Sequence, residues 1–284
     1  MFYRTLITTT ALSLSATLAM ADGHANTMGY ALANDGNTLV TMASIADPAD
    51  AQMFDLSETI SAIAYRPVTG ELMGFADGAI YSINTATGEL TNLDATFADD
   101  ATIVDGSVVA FDFNNAIDAV RAVSTGGDNL VYFPEGFGDM DERAGSVLRF
   151  TDLAYMDGDA NADVMPGVYA NAYTNAIAGE TAESTFQYAL DYNANALISL
   201  ANNAGTLETI AYVTVDGETV DLSPMGGFDI VSPEVGTDAA YAVLQMDGAD
   251  TAGLYAINLE TGEATLLSDL GMGGITSFAV SMGM

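Results

Sequence analysis

The chain has 284 residues, half of them hydrophobic, with 39 acidic residues against five arginines and with no cysteine. Its formal charge of −34 excludes electrostatic attraction to nucleic acid or to an anionic membrane surface, because both are also negative. The absence of cysteine excludes disulfides, thiolate metal ligands and a cysteine nucleophile. The acids are spread through turns, which indicates a folded chain with a surface adapted to salt, and a dedicated cation-binding surface is the alternative.

Residues 1–21 have the pattern of a secretory signal peptide. Arg4 precedes an apolar stretch rich in Ser and Thr, and Ala19-Met20-Ala21 is a small-residue cleavage site. No later stretch approaches the roughly 20 apolar residues that a membrane crossing requires. We therefore expect an exported monomer, periplasmic or secreted, with residues 22–284 as a single domain and no membrane span.

One phrase occurs twice, at 80–91 and again at 254–265. In both copies an alternating Tyr-x-Ile run is followed by Asn-x-x-Thr-Gly and by a second alternating run. This pattern predicts two strands joined by a turn in which Gly adopts positive φ. A unit that recurs so far along the chain predicts a repeat architecture.

Alternating segments group into sets of four along most of the chain, with three at the beginning and one at the end. The predicted strands are 30–33, 38–42 and 51–56; 62–65, 71–75, 79–84 and 89–93; 108–113, 119–123, 129–133 and 146–150; 167–173, 185–190, 196–200 and 206–212; 226–231, 239–245, 253–258 and 263–267; and 275–280.

These strands predict an all-β protein, a β-propeller with five four-stranded blades. Strands from the N- and C-termini together make the fifth blade, which closes the ring and removes the last open sheet edge. Six blades are the alternative if residues 134–166 contain another sheet.

Several phrases, in this order, resemble an exported bacterial family, the domain of unknown function DUF4394. They lie at 62–72, 111–114, 158–162, 172–175, 205–207 and 227–230. The resemblance implies a propeller-like exported protein with no established activity, and it implies no catalytic residues. Ala64 stands where the family tends to have Asp, and Asn115 where Pro is common. Whatever that Asp does is therefore not required in every blade.

The strongest metal candidate is the loop with Asp157, Asp159, Asn161 and Asp163. Oxygen-bearing side chains at every second position are the ligand pattern of a Ca²⁺ loop. Ala162 stands where an EF-hand needs Gly, so further ligands would have to come from elsewhere. A solvated Asx-rich turn is the alternative interpretation.

The only histidine could belong to a copper site. If cleavage follows Ala21, the mature chain begins Asp22-Gly23-His24. The terminal amine, two amides and the imidazole would then supply four nitrogens in a plane, as Cu(II) prefers. The alternative is a frayed terminus with an incidental His.

Asp112 and Asp229 occupy matching positions on the first strands of two blades, each between apolar neighbours. Strand alternation turns each Asp to the face opposite those neighbours. Near a propeller axis, two carboxylates could act as general acid and base on a glycan. The alternative is that each Asp caps a turn or pairs with an Arg.

Arg121 lies within an apolar strand, which predicts a buried ion pair with a carboxylate, for which Asp112 and Asp229 are candidates. A clamp for a substrate anion is the alternative. Neither a Gly-x-Ser-x-Gly elbow nor a His-Glu-x-x-His helix occurs, and one His excludes a Ser-His-Asp triad or a His-based zinc site.

The sequence therefore favours a non-enzymatic exported propeller that binds a small ligand or a partner protein, with calcium as a candidate structural ion. A carboxylate- or metal-dependent hydrolase or lyase built on Asp112, Asp229 and Arg121 is the second hypothesis. A copper-binding protein that uses Asp22, Gly23 and His24 is the third.

Overall fold

A computed structural model describes residues 26–283, and nearly all regular structure there is β-strand. Two short 3₁₀ helices, Pro48–Asp50 and Asn202–Ala204, are the exceptions within that range. The predicted signal peptide lies outside the described residues. Within them, no helix is long and apolar enough to cross a bilayer.

The strands form five large sheets, here called blades 1 to 5, and one small hairpin. Blade 1 contains β1 (Met28–Ala33), β2 (Thr38–Met42), β3 (Gln52–Asp55) and β24 (Ser277–Ser281). Blade 2 contains β4 (Ala62–Arg66), β5 (Glu71–Ala76), β6 (Ala79–Ile83) and β7 (Leu90–Asn92). Blade 3 contains β8 (Thr96–Phe97), β9 (Val109–Asn114), β10 (Ala119–Ser124), β11 (Asn129–Phe133) and β12 (Ser146–Arg149).

Blades 4 and 5 complete the set. Blade 4 contains β13 (Ala154–Tyr155), β14 (Val168–Tyr173), β15 (Gln187–Asp191), β16 (Ala196–Ala201) and β17 (Thr206–Tyr212). The hairpin is β18 (Thr214–Val215) with β19 (Glu218–Thr219). Blade 5 contains β20 (Leu222–Glu234), β21 (Thr237–Met246), β22 (Gly253–Ile257) and β23 (Ala264–Asp269).

One edge strand from each blade lies at the centre of the molecule. These inner strands are β4, β9, β14, β20 and β24; each contacts the next, and β24 contacts β4 to close the ring. In blade 1 the inner strand is C-terminal and pairs with the N-terminal β1. The prediction of five blades closed by terminal strands is confirmed, and residues 134–166 contribute only β12 and β13.

The hydrophobic core is divided among the blade interfaces. Each of the five interfaces contains one apolar cluster, such as Phe75 with Phe111 between blades 2 and 3 and Leu190 with Phe228 between blades 4 and 5. Alternate residues of a strand serve opposite faces, so Ala110 and Phe111 belong to different clusters. Packing between blades therefore supplies the stability that disulfides cannot supply in this chain.

The repeated phrase forms the hairpin between the third and fourth strands of blades 2 and 5, as predicted. In blade 2 the side-chain oxygen of Asn84 accepts a hydrogen bond from the backbone N–H of Ala86, and Gly88 adopts φ +73°. In blade 5 Asn258 and Gly262 repeat this arrangement, with φ +71° at the glycine. The two turns are built in the same way because both need an Asn oxygen and a left-handed glycine.

Four short strands were not predicted, namely β8, β13, β18 and β19. β8 pairs in parallel with β12, and β13 pairs in parallel with β17, so the outer edges of blades 3 and 4 are covered. Two residues cannot show a period of alternation, which is why the sequence gives no signal for them. β20 and β21 also extend beyond the prediction, because irregular pairing near Gly226 interrupts the alternating pattern.

Closure of the ring depends on a close approach at Gly227. A Cβ atom at this position would lie 2.3 Å from the backbone nitrogen of Phe278, so β20 can approach β24 only with glycine there. At Gly74, by contrast, the nearest atoms to an added Cβ are the side-chain ends of Ile60 and Ile83. Side-chain ends can move aside, whereas the backbone of a packed strand cannot.

We expect Gly227→Ala to destabilise the protein by about 3 kcal/mol, at the upper end of overpacking effects, because the clash is with backbone. Chemical denaturation monitored by circular dichroism measures this loss. Gly74→Ala is the matched control and should cost clearly less. Equal losses for the two variants would contradict the proposed role of Gly227 in ring closure.

Candidate functional site

A cavity of about 190 Å³ lies where the five inner strands end. Every blade contributes to its lining, and exposed residues such as Ala178 and Met282 at its rim show that it opens to solvent. We call it the axial cavity. Its lining comprises Tyr65, Pro67, Asp112, Ala176–Ala178, Asp229, Ile230, Val231, Ser232, Pro233, Val280, Ser281, Met282 and Gly283.

The structure brings Asp112 and Asp229 together in this cavity. Asp112 lies on β9 and Asp229 on β20, and each side chain is only 5% exposed. The two strands belong to blades 3 and 5, so the aspartates meet only because the ring is closed. Both aspartates thus line one cavity, as a carboxylate-dependent reaction would require, and a catalytic role for them stays a prediction.

Each carboxyl accepts hydrogen bonds from the next inner strand. Oδ2 of Asp112 accepts one from the backbone N–H of Tyr173 at 2.7 Å. Oδ2 of Asp229 accepts one from Val280 at 2.7 Å, and its Oδ1 accepts one from Ile230 at 2.7 Å. The bond from Tyr173 joins blade 3 to blade 4 and the bond from Val280 joins blade 5 to blade 1, whereas Ile230 lies on the same strand as Asp229.

The bonds satisfy a need that arises from the fold. Each inner strand is the edge of its sheet, so N–H groups on its free side have no strand partner. Burying such a group unpaired costs about 1–3 kcal/mol. Ser277 has the same role between blades 1 and 2, where its Oγ accepts a hydrogen bond from the N–H of Ile63 at 3.0 Å.

Burial shifts the ionisation of both carboxyls. It raises the pKa of Asp112 well above the usual range, and the negative charge of Asp229 raises it further, against hydrogen bonds from the N–H groups of Phe113 and Tyr173. Burial raises the pKa of Asp229 to about 7, opposed by the N–H groups of Val280 and Ile230. The pair therefore holds protons at a pH where an exposed carboxyl is ionised.

The loop that follows β14 is fixed against three other blades. The side-chain amide of Asn115 donates to the carbonyl oxygen of Asn175 at 2.7 Å. The N–H of Ala176 donates to Oγ of Ser232 at 3.0 Å, and the N–H of Gly179 donates to the carbonyl of Pro67 at 2.9 Å. This wall of the axial cavity is therefore held in place without a ligand.

Arg121 does not join the two aspartates, which corrects the predicted ion pair. Its Nε donates to Oη of Tyr173 at 2.9 Å, and its terminal nitrogens donate to the amide oxygens of Asn129 and Asn203. Arg121 is the cross-strand neighbour of Asp112, but the long guanidinium extends away from the axis to these neutral acceptors. It does not line the axial cavity.

The acidic loop is engaged in local hydrogen bonds. Asp159 accepts from the backbone N–H and the hydroxyl of Thr209, at 2.7 and 2.6 Å, and Asn161 donates to the same hydroxyl at 2.8 Å. Asp157 and Asp163 are exposed. These contacts resemble the Asx-turn alternative, and the calcium site stays a prediction.

Metal sites are otherwise not evident in the range that the structure describes. Among residues 26–283, no group of three or more His, Asp or Glu side chains is arranged to hold a metal ion. The predicted copper ligands Asp22, Gly23 and His24 lie outside the described residues.

Sequence reasoning found both aspartates but missed the rest of the lining. Tyr65, Ile177 and Ser232 lie at or after the ends of inner strands, in segments without a motif of their own. These residues come together only when the ring of blades closes, and no local sequence pattern encodes that closure.

The fold and the site together define a five-bladed propeller with an open axial cavity that contains two buried carboxyls. The chain belongs to the family described as "Domain of unknown function (DUF4394)", whose model matches residues 22–279. No curated protein matches the sequence.

Several solved structures are similar. An auxiliary nutrient binding protein from Bacteroides ovatus is 14% identical with a TM-score of 0.43; the match covers 75% of this chain and 55% of that one. The calcium-binding protein regucalcin from Agrobacterium tumefaciens is 15% identical with a TM-score of 0.43, over 81% and 67%. A chain of a nidogen/laminin complex is 8% identical with a TM-score of 0.47, over 89% and 97%.

Raising the pH should destabilise the protein through the axial pair. The pKa of Asp229 is about 7 in the folded state and near 3.8 when exposed, so the folded chain binds more protons between these values. The free energy of unfolding therefore falls as pH rises through this window. We expect a loss of at least about 1 kcal/mol between about pH 5 and pH 7.5, measured by denaturation.

Asp229→Asn should flatten this decline, because the substituted group cannot titrate. Asp77→Asn removes one acid from an exposed turn and serves as the control for general charge repulsion. If Asp229→Asn keeps the same pH dependence as Asp77→Asn, the axial pair is not its source.

We expect Asp159→Ala to lower stability by about 1 kcal/mol with or without calcium, because it removes the acceptor for Thr209. Thermal unfolding with calcium and with chelator measures the effect, and Asp157→Ala is the exposed control.

Native mass spectrometry detects a bound calcium ion directly. One Ca²⁺ per chain that Asp159→Ala removes would confirm the calcium prediction, whereas a metal-free wild-type chain would contradict it.

Proposed function

We propose that this protein is an exported, non-enzymatic ligand-binding propeller, periplasmic or secreted, that takes a small molecule into the axial cavity. One observation carries the proposal: two buried carboxyls from different blades lie in one mostly apolar cavity that opens to solvent. Concave apolar sites with a few convergent polar groups are the usual form of small-molecule sites.

The size of the cavity limits the ligand. A cavity of about 150 Å³ lined by aliphatic and aromatic side chains holds benzene, and the axial cavity has about 190 Å³. It therefore accepts one six-membered ring with a short substituent, while larger molecules would extend past the rim. Pro67, Val231 and Pro233 provide apolar surface, and Ser232 and the two aspartates provide polar contacts.

The fixed wall also favours binding over a structural void. Because Asn115, Ser232 and Pro67 hold the loop after β14, little conformational entropy is lost when a ligand enters. An open cavity at the axis lacks packing contacts that filling side chains would make. A protein whose axis had only a structural role would not need to lose those contacts.

We expect benzyl alcohol, a one-ring probe with eight non-hydrogen atoms, to bind with a dissociation constant of about 1 mM, as small fragments do. Ligand-observed NMR measures this binding. Ala178→Trp should abolish it, because the indole covers the rim of the cavity. Ala46→Trp places the same side chain at an exposed position away from the cavity and should leave binding unchanged.

Binding that survives Ala178→Trp unchanged would contradict the axial cavity as the ligand site. Failure of wild-type protein to bind any one-ring probe, neutral or charged, would overturn the proposed function. Circular dichroism of both tryptophan variants confirms that neither result comes from unfolding.

A carboxylate-dependent hydrolase is the second candidate, because the cavity contains two aspartates and the pKa of Asp229 is raised to about 7. A general acid or base works best with a pKa near the working pH. Arg121 has no part in it, since its partners lie outside the cavity. Hydrolysis of aryl glycosides that Asp229→Asn abolishes and Asp77→Asn retains would favour this candidate over plain binding.

A further inference from the structure

The axial cavity contains two acidic groups, and no cationic side chain is among the described residues that line it. Within residues 26–283, Asp112 and Asp229 are the only carboxyls in its lining, which contains no Arg. The apolar walls around them make this a poor place for uncompensated charge. Something other than a side chain of the lining must therefore neutralise the pair.

The arginines of the described range are all committed elsewhere. Arg66 pairs with Asp118 and Glu71, Arg143 with Asp141, and Arg149 with Asp128 and Asp152. Arg121 is held by Tyr173, Asn129 and Asn203. None of these guanidinium groups could reach the axial pair without breaking its present contacts.

Bound protons are one way to neutralise the pair. Burial and mutual repulsion raise the pKa of both carboxyls, which is the usual response of a buried acid without a counter-charge. A cationic ligand can supply the same compensation, and each carboxylate oxygen keeps a second lone pair beside its backbone hydrogen bond.

We infer that the ligand of the axial cavity is a small organic amine, with its protonated nitrogen between Asp112 and Asp229 and an apolar body against the cavity walls. This inference rests on the proposed function and names the chemical class of its ligand. The charged hydrogen bonds fix the nitrogen, and the volume of about 190 Å³ restricts the buried body to about one ring.

Two further features favour a cation. Tyr65 lines the cavity, and an aromatic ring next to an ammonium group is attractive. The net charge of −34 surrounds the molecule with a negative potential that draws cations toward it. An anionic ligand meets repulsion from both, and a neutral one gains nothing from either.

Benzylamine and benzyl alcohol test the inference, because they have the same shape and differ in charge. At neutral pH and low salt we expect benzylamine to bind wild-type protein at least about tenfold more tightly. Asp229→Asn should reduce this preference to about twofold or less while benzyl alcohol still binds, which shows that the cavity is intact. Asp77→Asn, an exposed single-charge change, should keep the full preference.

Asp112→Asn is the second variant and should reduce the preference in the same way, so the test does not depend on one substitution folding. Equal binding of the two probes by wild-type protein, or a preference that both axial variants retain, would overturn the amine inference. If wild-type protein binds the two probes equally, the binding of benzyl alcohol would still support the proposed function. If neither probe binds, both proposals fail.

Discussion

The structure depends on how the free edges of the five inner strands are satisfied. A propeller brings one sheet edge from each blade to its centre, where water is scarce and no further strand can pair with it. Here side-chain oxygens of Asp112, Asp229 and Ser277 accept such N–H groups and tie together three of the five neighbouring pairs of inner strands. Without these acceptors, closure of the ring would leave the N–H groups of Ile63, Tyr173 and Val280 without these partners.

The same solution gives the axis its chemistry. An aspartate that ties two strands together is buried by the strands it joins, and two such aspartates end in one cavity. Their raised pKa values follow from this burial. The structural role of the two aspartates and their proposed ligand-binding role therefore belong to the same location in the fold. A titration, or two probes of the same shape that differ in charge, separates them, because backbone hydrogen bonds alone do not discriminate an amine from an alcohol.

The acidic surface and the apolar interfaces act against each other. A charge of −34 on one chain favours expansion through self-repulsion, and salt screens that repulsion. Five apolar clusters between blades, together with the close approach of β20 to β24 at Gly227, provide the cohesion that opposes it. Closure by strands from both ends of the chain makes each of these interfaces depend on its neighbours.

The sequence by itself determined the longer strands, the two matching Asn-x-x-Thr-Gly turns, the count of five blades and the closing strand at 275–280, because periodicity and turn chemistry are local. It also identified Asp112 and Asp229 from their matching places. Only the tertiary structure decided that they share a cavity, that Arg121 bonds to Tyr173 instead, and that Tyr65 and Ile177 belong to the site. Those relations join residues from different blades, and ring closure alone sets the distances between blades.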